Sequence, residues 1–246
     1  MNYIGIIPAR YQSTRFPGKP LCLIGGKTMI QRVYEQASCV NVFSDLIVAT
    51  DDNRILTTVL DFGGKAVMTS DIHKSGTERC AEVYRNLINA YPVDDTVIVN
   101  IQGDEPFLQA QQIEELIACF DDNSIRIATL IQKIDDEESL INPNVVKVIV
   151  STSMNAIYFS RYPIPYQQKK VSGQHVFFKH IGMYAFKGDT LLSVVALEPS
   201  SLELAENLEQ LRWIENDIPI KTYITRFQSS ISIDTPDDLK KANLQY

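Results

Sequence analysis

Three cations, Arg10, Arg15 and Lys19, fall within ten residues just after an apolar run, in the stretch GIIPARYQSTRFPGKP that begins at Gly5. Guanidinium and ammonium groups neutralise charge spread over several oxygens, and the amides of an irregular loop can line an oxyanion, so this spacing suits a triphosphate. The same residues would also make an ordinary solvated loop. Two acids supply the complementary half. Asp104, in NIQGDEPF, follows a run apolar enough to be a buried strand, where a carboxylate is costly unless it meets a cation or a ring of amides. It could equally cap the helix that starts near Ala110, and Glu105 beside it is either a partner in the same site or a turn residue. Asp234 stands in SIDTPDDL, where Thr235, Pro236 and Asp238 already supply a capping hydroxyl, a proline at the first helical position and an acid in the first turn. Asp234 is surplus to that helix start. Two strand-end aspartates facing a cationic loop match a magnesium nucleoside triphosphate, because Mg2+ takes few carboxylates and completes its octahedron with phosphate oxygens and water.

These residues need a scaffold that delivers them to one place. Tyr3 to Pro8 reads as a strand buried on both faces, and Pro8, Pro17, Gly18 and Pro20 keep the next dozen or so positions out of regular structure. Beyond that loop the pattern alternates: a helix over Thr28 to Ala37, a strand at LIVA (46–49), a helix over Asp52 to Phe62 closed by Gly63 and Gly64, and a short strand at KAVM. A helix over Glu78 to Ile88, a central strand at TVIVNI (96–101) and a helix over Ala110 to Phe120 come next. This alternation predicts βαβ units and a largely parallel sheet. Later strands at NVVKVIV and HIGMYAF flank an irregular stretch, 160–179, that suits a flap or subunit contact, and Leu202 to Asn216 reads as one amphipathic helix carrying the single tryptophan, Trp213. In open α/β sheets ligands collect beyond the carboxyl ends of the strands, which brings the loop after the first strand, ATDD (49–52) and QGDEP (102–106) together. Neither a GxGxxG fingerprint nor a Walker A motif is present, so the two commonest phosphate cradles are excluded.

Composition narrows the class. The chain has 246 residues with 45% apolar content, enough for a full core, and a formal net charge of −7. That charge argues against a nucleic-acid partner, since a phosphate backbone needs a basic face. Cys22, Cys39, Cys80 and Cys119 form no CxxC pair, which fits a reducing cytoplasm without disulfides or a zinc knuckle. No stretch reaches the roughly 18 apolar residues of a membrane span, so stable membrane insertion is not expected. His73 and His175 show no ligand spacing and read as surface residues.

Taken together, IPARYQSTRFPGKPL, SGTERCAEV, VNIQGDEP, NPNVVKVI, YFSRYPIP, KHIGMYAF, AENLEQLRW and DTPDDL occur in an order that resembles the 3-deoxy-manno-octulosonate cytidylyltransferases, also called CMP-Kdo synthetases, over nearly the whole chain. The resemblance implies transfer of CMP from CTP to the anomeric hydroxyl of 3-deoxy-manno-octulosonate (Kdo), an acidic eight-carbon sugar, with release of pyrophosphate, for lipopolysaccharide synthesis. It implies a single domain over 1–246, with a nucleotide-binding half to about 125 and a sugar-binding and dimerisation half beyond. The fold would be α/β and Rossmann-like, a mixed, mostly parallel sheet of the nucleotide-diphospho-sugar transferase type. It further implies a cytoplasmic homodimer that uses Mg2+.

By that resemblance Arg10, Ser13, Arg15 and Lys19 hold the triphosphate, with the backbone of Pro8 and Ala9 around the nucleotide. Ser75, Gly76 and Thr77 read the cytosine with Arg79 close by, although SGTER would also serve as a plain capped helix start and Arg79 could simply pair with a carboxylate. Gln102, Arg161, His180, Tyr184, Glu209 and Gln210 fall on positions that bind the acidic sugar, with Arg161 or His180 available to its carboxylate; each also has a purely structural reading. Arg10, Lys19, Asp104 and Asp234 carry the chemistry, the two aspartates as ligands of Mg2+. The segment RYPIPYQQKKVSGQHVFFKH departs from the family pattern at Gln167, Gln168, Lys169 and Lys170, which leaves an 8-amino analogue or another 2-keto sugar acid open as substrate. A non-catalytic nucleotide-sugar sensor on the same fold stays open, and a glycosyltransferase is disfavoured because TDD (50–52) lacks DxD spacing.

Overall fold

β1 (Asn2–Ala9) lies between β4 (Phe43–Thr50) and β6 (Thr96–Asn100), parallel to both. This computed structural model describes residues 1–12, 16–168, 175–228, 233 and 235–244. Beyond β4 the sheet continues to β5 (Ala66–Met68); beyond β6 it continues through β10 (Phe178–Lys187) and β7 (Ile127–Lys133) to β11 (Lys221–Ile224). β8 (Lys147–Val150) and β9 (Ala156–Ser160) extend it from the start of β10, and β2 (Leu23–Ile24) pairs with β3 (Lys27–Thr28) as a separate small hairpin. Along the main path only β10 runs against its neighbours, so the sheet is mixed but mostly parallel, as expected.

The central strands are buried on both faces, which explains their unbroken apolar runs. Ile7, Val48 and Val99 face α1 (Met29–Ser38), α2 (Asn53–Asp61) and α4 (Ala110–Ala118). Ile4, Ile6 and Ile98 face the opposite layer, built from α3 (Gly76–Leu87) and α6 (Gly188–Val194), and from α8 (Gln210–Glu215) through Leu211 and Trp213. From β1 the chain winds outward through α1, β4, α2 and β5, then returns over α3 to enter β6 on the other side of β1. That reversal opens a crevice at the carboxyl ends of β1 and β6.

Two expectations need correction. The single helix read over 202–216 is two: α7 (Ser201–Glu206), and α8, separated at Asn207, whose φ of 52° is left-handed. Asparagine tolerates that conformation, and the turn lets α8 bury Leu211 and Trp213 while α7 buries nothing. β7, β9 and β11 were not expected as strands; β11 is a four-residue edge strand with one buried residue, too short for a clear alternation. A short helix, α5 (Glu137–Ile141), lies between β7 and β8. The final helix, α9 (Pro236–Asn243), begins as read: Thr235 caps it and Asp238 closes a capping box. α9 and β2 share a small cluster of Ile24, Met29, Ile233 and Ala242, which anchors the C-terminal segment beside the basic loop. No helix among the described residues is long and apolar enough to cross a membrane.

Candidate active site

The crevice holds a cavity of about 260 Å3 whose floor is the ends of β1 and β6. Two glycines permit the close approach that shapes it. A Cβ on Gly103 would stand 2.8 Å from the Pro8 carbonyl oxygen, and one on Gly76 would stand 3.0 Å from Pro8 Cγ. Pro8, Ala9 and Arg10 line it from β1, and Gln102, Gly103 and Asp104 from the loop after β6. The wall opposite consists of residues 73–76 and Arg79.

Lys19 enters from a single 3-10 turn, Lys19–Leu21, preceded by Gly18 at a φ of 72°. The Gly18 amide donates to the Tyr11 carbonyl at 2.9 Å, and the Arg54 guanidinium lies 3.3 Å over the Tyr11 ring, so the loop is tied down to α2. Lys19 Nζ is 2.8 Å from Asp104 Oδ2. Asp104 therefore meets a cation; Gln109, not Asp104, caps α4. The Ile233 amide donates to the Asp104 carbonyl at 3.1 Å, which brings the C-terminal segment against this loop. Ser13, Arg15 and Asp234 lie outside the described residues. Burial and the charge of Asp104 push the Glu105 carboxyl up to about 8, against the opposing pull of Lys179.

Across the cavity, Ser75 caps α3 by accepting from the Glu78 amide at 3.2 Å. Its hydroxyl also donates to Glu209 Oε1 at 2.8 Å, and the Thr77 hydroxyl donates to Glu209 Oε2 at 2.7 Å. Burial nevertheless raises the Glu209 carboxyl above its ordinary value, because these two bonds and the charge of Arg212 do not fully offset desolvation. Both hydroxyls are thus engaged inside the protein. Arg79 is only 3% exposed; it donates to Asp51 Oδ2 at 2.8 Å, to the Ser70 carbonyl at 3.2 Å and to Thr69. It pairs with a carboxylate, and in doing so ties the ATDD loop to α3.

The residues expected on the sugar side are arranged differently from one another. Gln102 Nε2 donates to the Gly182 carbonyl at 2.8 Å, linking the β6 loop to β10. Arg161 donates to the carbonyls of Glu206 (2.8 Å), Pro143 (3.1 Å) and Asn207 (3.2 Å), and does not line the cavity. A register shift in β10 between Ile181 and Tyr184 sets both His180 and Tyr184 around Thr129 of β7. His180 Nε2 lies 3.0 Å from Thr129 Oγ1, and its ring packs edge-on against Phe159 at 5.1 Å. Desolvation drops its pKa to about 3, so His180 is neutral at ordinary pH and offers a hydrogen bond rather than a charge. Tyr184 is 6% exposed and packs on Trp213, and its hydroxyl is buried without a hydrogen-bond partner among the described residues. Gln210 is buried at the start of α8.

Sequence reasoning missed three residues here. Asn100, directly opposite Tyr184 in the β6–β10 ladder, also carries a buried side-chain oxygen with no partner among the described residues. Asp51 holds Arg79. His73, read as a surface residue, lines the cavity with its side chain 13% exposed. The periodic polar position at the end of an apolar strand was the available signal for Asn100; the signal for His73 was the four-residue spacing of its partners Glu78 and Glu82 on the helix that follows, and the carboxylate partner of Arg79 lies 28 residues away.

Among the described residues no group of three or more His, Cys, Asp or Glu is placed to hold a metal. A hard divalent cation that shares its shell with phosphates needs fewer, and the Asp104 carboxylate at the cavity is a hard oxygen donor whose chemistry fits Mg2+, with Lys19 Nζ 2.8 Å from its Oδ2 in the ligand-free protein.

Comparison with known proteins agrees with this geometry. Residues 4–222 match the family model described as cytidylyltransferase. A 3-deoxy-manno-octulosonate cytidylyltransferase of Phocaeicola vulgatus is 52% identical over 98% of this chain and 96% of its own length. The solved CMP:2-keto-3-deoxy-manno-octonic acid synthetase complexed with CTP superposes with a TM-score of 0.91 at 41% identity, covering 100% of this chain and 98% of that one. A 4-diphosphocytidyl-2C-methyl-D-erythritol synthase from Anaerococcus prevotii shares the fold at 15% identity, with a TM-score of 0.63 over 100% of this chain and 99% of that one.

Proposed function

Because this chain belongs to the 3-deoxy-manno-octulosonate cytidylyltransferase family, we propose that it transfers CMP from CTP to the anomeric hydroxyl of Kdo and releases pyrophosphate. The observation that carries the reading is the crevice at the ends of β1 and β6, where Arg10, Lys19, the Ser75–Gly76 backbone and Asp104 surround one cavity. The sugar hydroxyl attacks the α-phosphorus in line. Lys19, with Arg10 and Arg15, stabilises the charge that grows on the departing pyrophosphate, an electrostatic contribution of roughly 3 kcal/mol for a single well-placed donor. Mg2+ held by Asp104 and Asp234 would neutralise phosphate charge and lower the pKa of a coordinated hydroxyl. In support, Ile233, the residue before Asp234, is hydrogen-bonded to the Asp104 backbone. With Ser75 and Thr77 hydroxyls committed to Glu209, cytosine recognition falls to backbone groups of the same segment.

On the sugar side, Tyr184 offers an unpartnered hydroxyl and Gln102, Glu209 and Gln210 offer amide and carboxylate groups, while neutral His180 donates or accepts without charge. We assign the protein to the cytoplasm as a homodimer; the exposed side chains of Ile157, Tyr162 and Tyr166 around the irregular segment suit a subunit contact. The deciding experiment is pyrophosphate release from each of the four nucleoside triphosphates with Kdo, its 8-amino analogue and a sialic acid, with and without magnesium. Release with CTP and Kdo in magnesium alone is the expected result; equal release with another nucleotide, or none from CTP with any of the acids, overturns the reading.

A further inference from the structure

Residues 73–75 form a partition. The nucleotide cavity lies on one side and a second cavity, of about 590 Å3, on the other, and His73, Lys74 and Ser75 line both. A wall one strand of chain thick has little packing of its own, so its course depends on what ties it down. The downstream end is fixed by the Ser75 cap and by Glu209, and the upstream end by the bonds of Arg79 to Thr69 and Ser70. Between them the His73 ring does the tying. Its Nε2 is hydrogen-bonded to Glu82 Oε2, and its Nδ1 lies 3.8 Å from Glu78 Oε2. Glu78 and Glu82 sit one turn apart on α3, so the ring spans consecutive carboxylates on one helix face.

The same two carboxylates hold the backbone on either side of the histidine. Glu82 Oε2 accepts from the Ser70 amide at 3.0 Å, and Glu78 Oε2 accepts from the Lys74 amide at 2.7 Å. Burial alone would raise the Glu82 carboxyl; hydrogen bonds from His73 and the Ser70 amide more than offset it and hold Glu82 below the ordinary carboxylate value. A solvated surface histidine would not hold the Glu82 carboxylate in this way.

We infer that His73 is a positioning residue for the nucleotide: by bridging Glu78 and Glu82 it sets the course of residues 70–75, and with it the aim of the Ser75 and Gly76 amides and of Lys74 into the cavity. This rests on the reading of the cavity as the CTP site. Lys19 and Asp104 stand on other elements, so a slackened partition weakens nucleotide binding more than the chemical step.

The test uses His73→Ala, His73→Gln and Glu82→Gln in the full chain. His73→Ala should raise the KM for CTP about tenfold, the size of one lost charge-assisted hydrogen bond, with kcat and the KM for the sugar far less affected. Hydrogen exchange of the ligand-free protein should quicken at the amides of Ser70, Ile72 and Lys74 while the melting temperature stays near the parent's. His73→Gln, which keeps a donor, should recover part of the loss, and adding Glu82→Gln to His73→Ala should cost little more. Parent-like exchange at these amides, or a parent-like KM for CTP in His73→Ala, overturns the inference. If His73→Ala does not fold, the same two readouts on His73→Gln and Glu82→Gln decide it. Failure of the parent to turn over CTP would instead sink the cytidylyltransferase reading, and exchange in the ligand-free protein would still judge the clamp.

Discussion

Replacing Tyr184 by Phe separates what that residue does for the fold from what it does for the ligand. The ring is surrounded on several sides: it meets Trp213 edge-on at a centroid distance of 5.0 Å, stacks with Phe186 at 5.8 Å and lies 5.1 Å from His180. Phenylalanine keeps all of this. The hydroxyl is buried and makes no hydrogen bond among the described residues, and burial together with the nearby charge of Glu209 holds its pKa well above the ordinary tyrosine value, so it remains a donor at any assay pH. A buried polar group left unsatisfied costs about 1–3 kcal/mol. Removing only the oxygen relieves part of that cost and gives up a few dispersion contacts, so Tyr184→Phe should stabilise the ligand-free protein by roughly 1 kcal/mol. In a chain of this length that corresponds to a rise in melting temperature of about 2–4 °C.

If the hydroxyl is kept for the acidic sugar, the same change should raise the sugar's KM about tenfold, the worth of a hydrogen bond near 1.4 kcal/mol, and leave the KM for CTP alone. The assays are chemical denaturation at fixed protein concentration without ligand and steady-state kinetics in both substrates. A variant destabilised by more than about 1 kcal/mol would mean that the hydroxyl has a partner in the free protein, such as an ordered water. A stabilised variant with an unchanged sugar KM would refute the sugar assignment and leave the orphan hydroxyl without a function.

Other substitutions at the same site have equally definite outcomes. Lys19→Met keeps the apolar stem, so the melt should stay close to the parent's while kcat falls roughly a hundredfold and the KM for CTP rises less; a rise confined to the sugar's KM would move this loop to the sugar carboxylate. Asp104→Asn should leave a folded protein whose turnover falls by orders of magnitude and whose magnesium requirement rises, measured by titrating the metal; near-normal turnover at low magnesium removes Asp104 from the metal site. His180 has a folded pKa of about 3 against 6.5 when unfolded, so the unfolded chain binds its proton first and stability is lost as pH falls below the unfolded value. The parent should therefore lose up to about 1.4 kcal/mol per pH unit from this group, and His180→Gln should show a shallower decline of urea midpoint between neutral and mildly acidic pH; equal slopes would show that His180 is not desolvated.

Features legible in the sequence are local ones. The β-branched runs of β1, β4 and β6 and the caps at Ser75 and Thr235 are each decided within a few residues, and each stands as read. Features hidden from it depend on partners far along the chain. Ser75 meets Glu209 across 134 positions, and Arg79 meets Asp51 across 28, so whether those groups face a ligand or the protein itself is invisible in their own neighbourhoods. The reversal of β10 is of the same kind, since its apolar run suits either direction.

Arg161 shows how much of a cation's surroundings its own motif leaves out. Its guanidinium donates to the Glu206 and Asn207 carbonyls of the turn at Asn207 and to the Pro143 carbonyl from another loop, and that turn lies inside a segment whose pattern reads as one continuous helix. An arginine that satisfies orphan carbonyls at a helix end stabilises the turn that sets the direction of α8, and α8 carries Gln210 and continues directly from Glu209. Arg161 is thereby coupled to the placement of those two residues. His73 escapes a sequence reading for the complementary reason: its carboxylate partners stand four apart on α3, a spacing that belongs to Glu78 and Glu82 and not to the histidine. Searching for spacing among the histidines themselves looks for metal sites, whereas a single histidine between two helical carboxylates is recognised from the acids' periodicity. The cavity is therefore legible in its charged part, where Arg10, Lys19 and Asp104 gather at strand ends, whereas the buried Tyr184 hydroxyl and Asn100 amide oxygen, without partners among the described residues, acquire meaning only once the sheet sets them side by side.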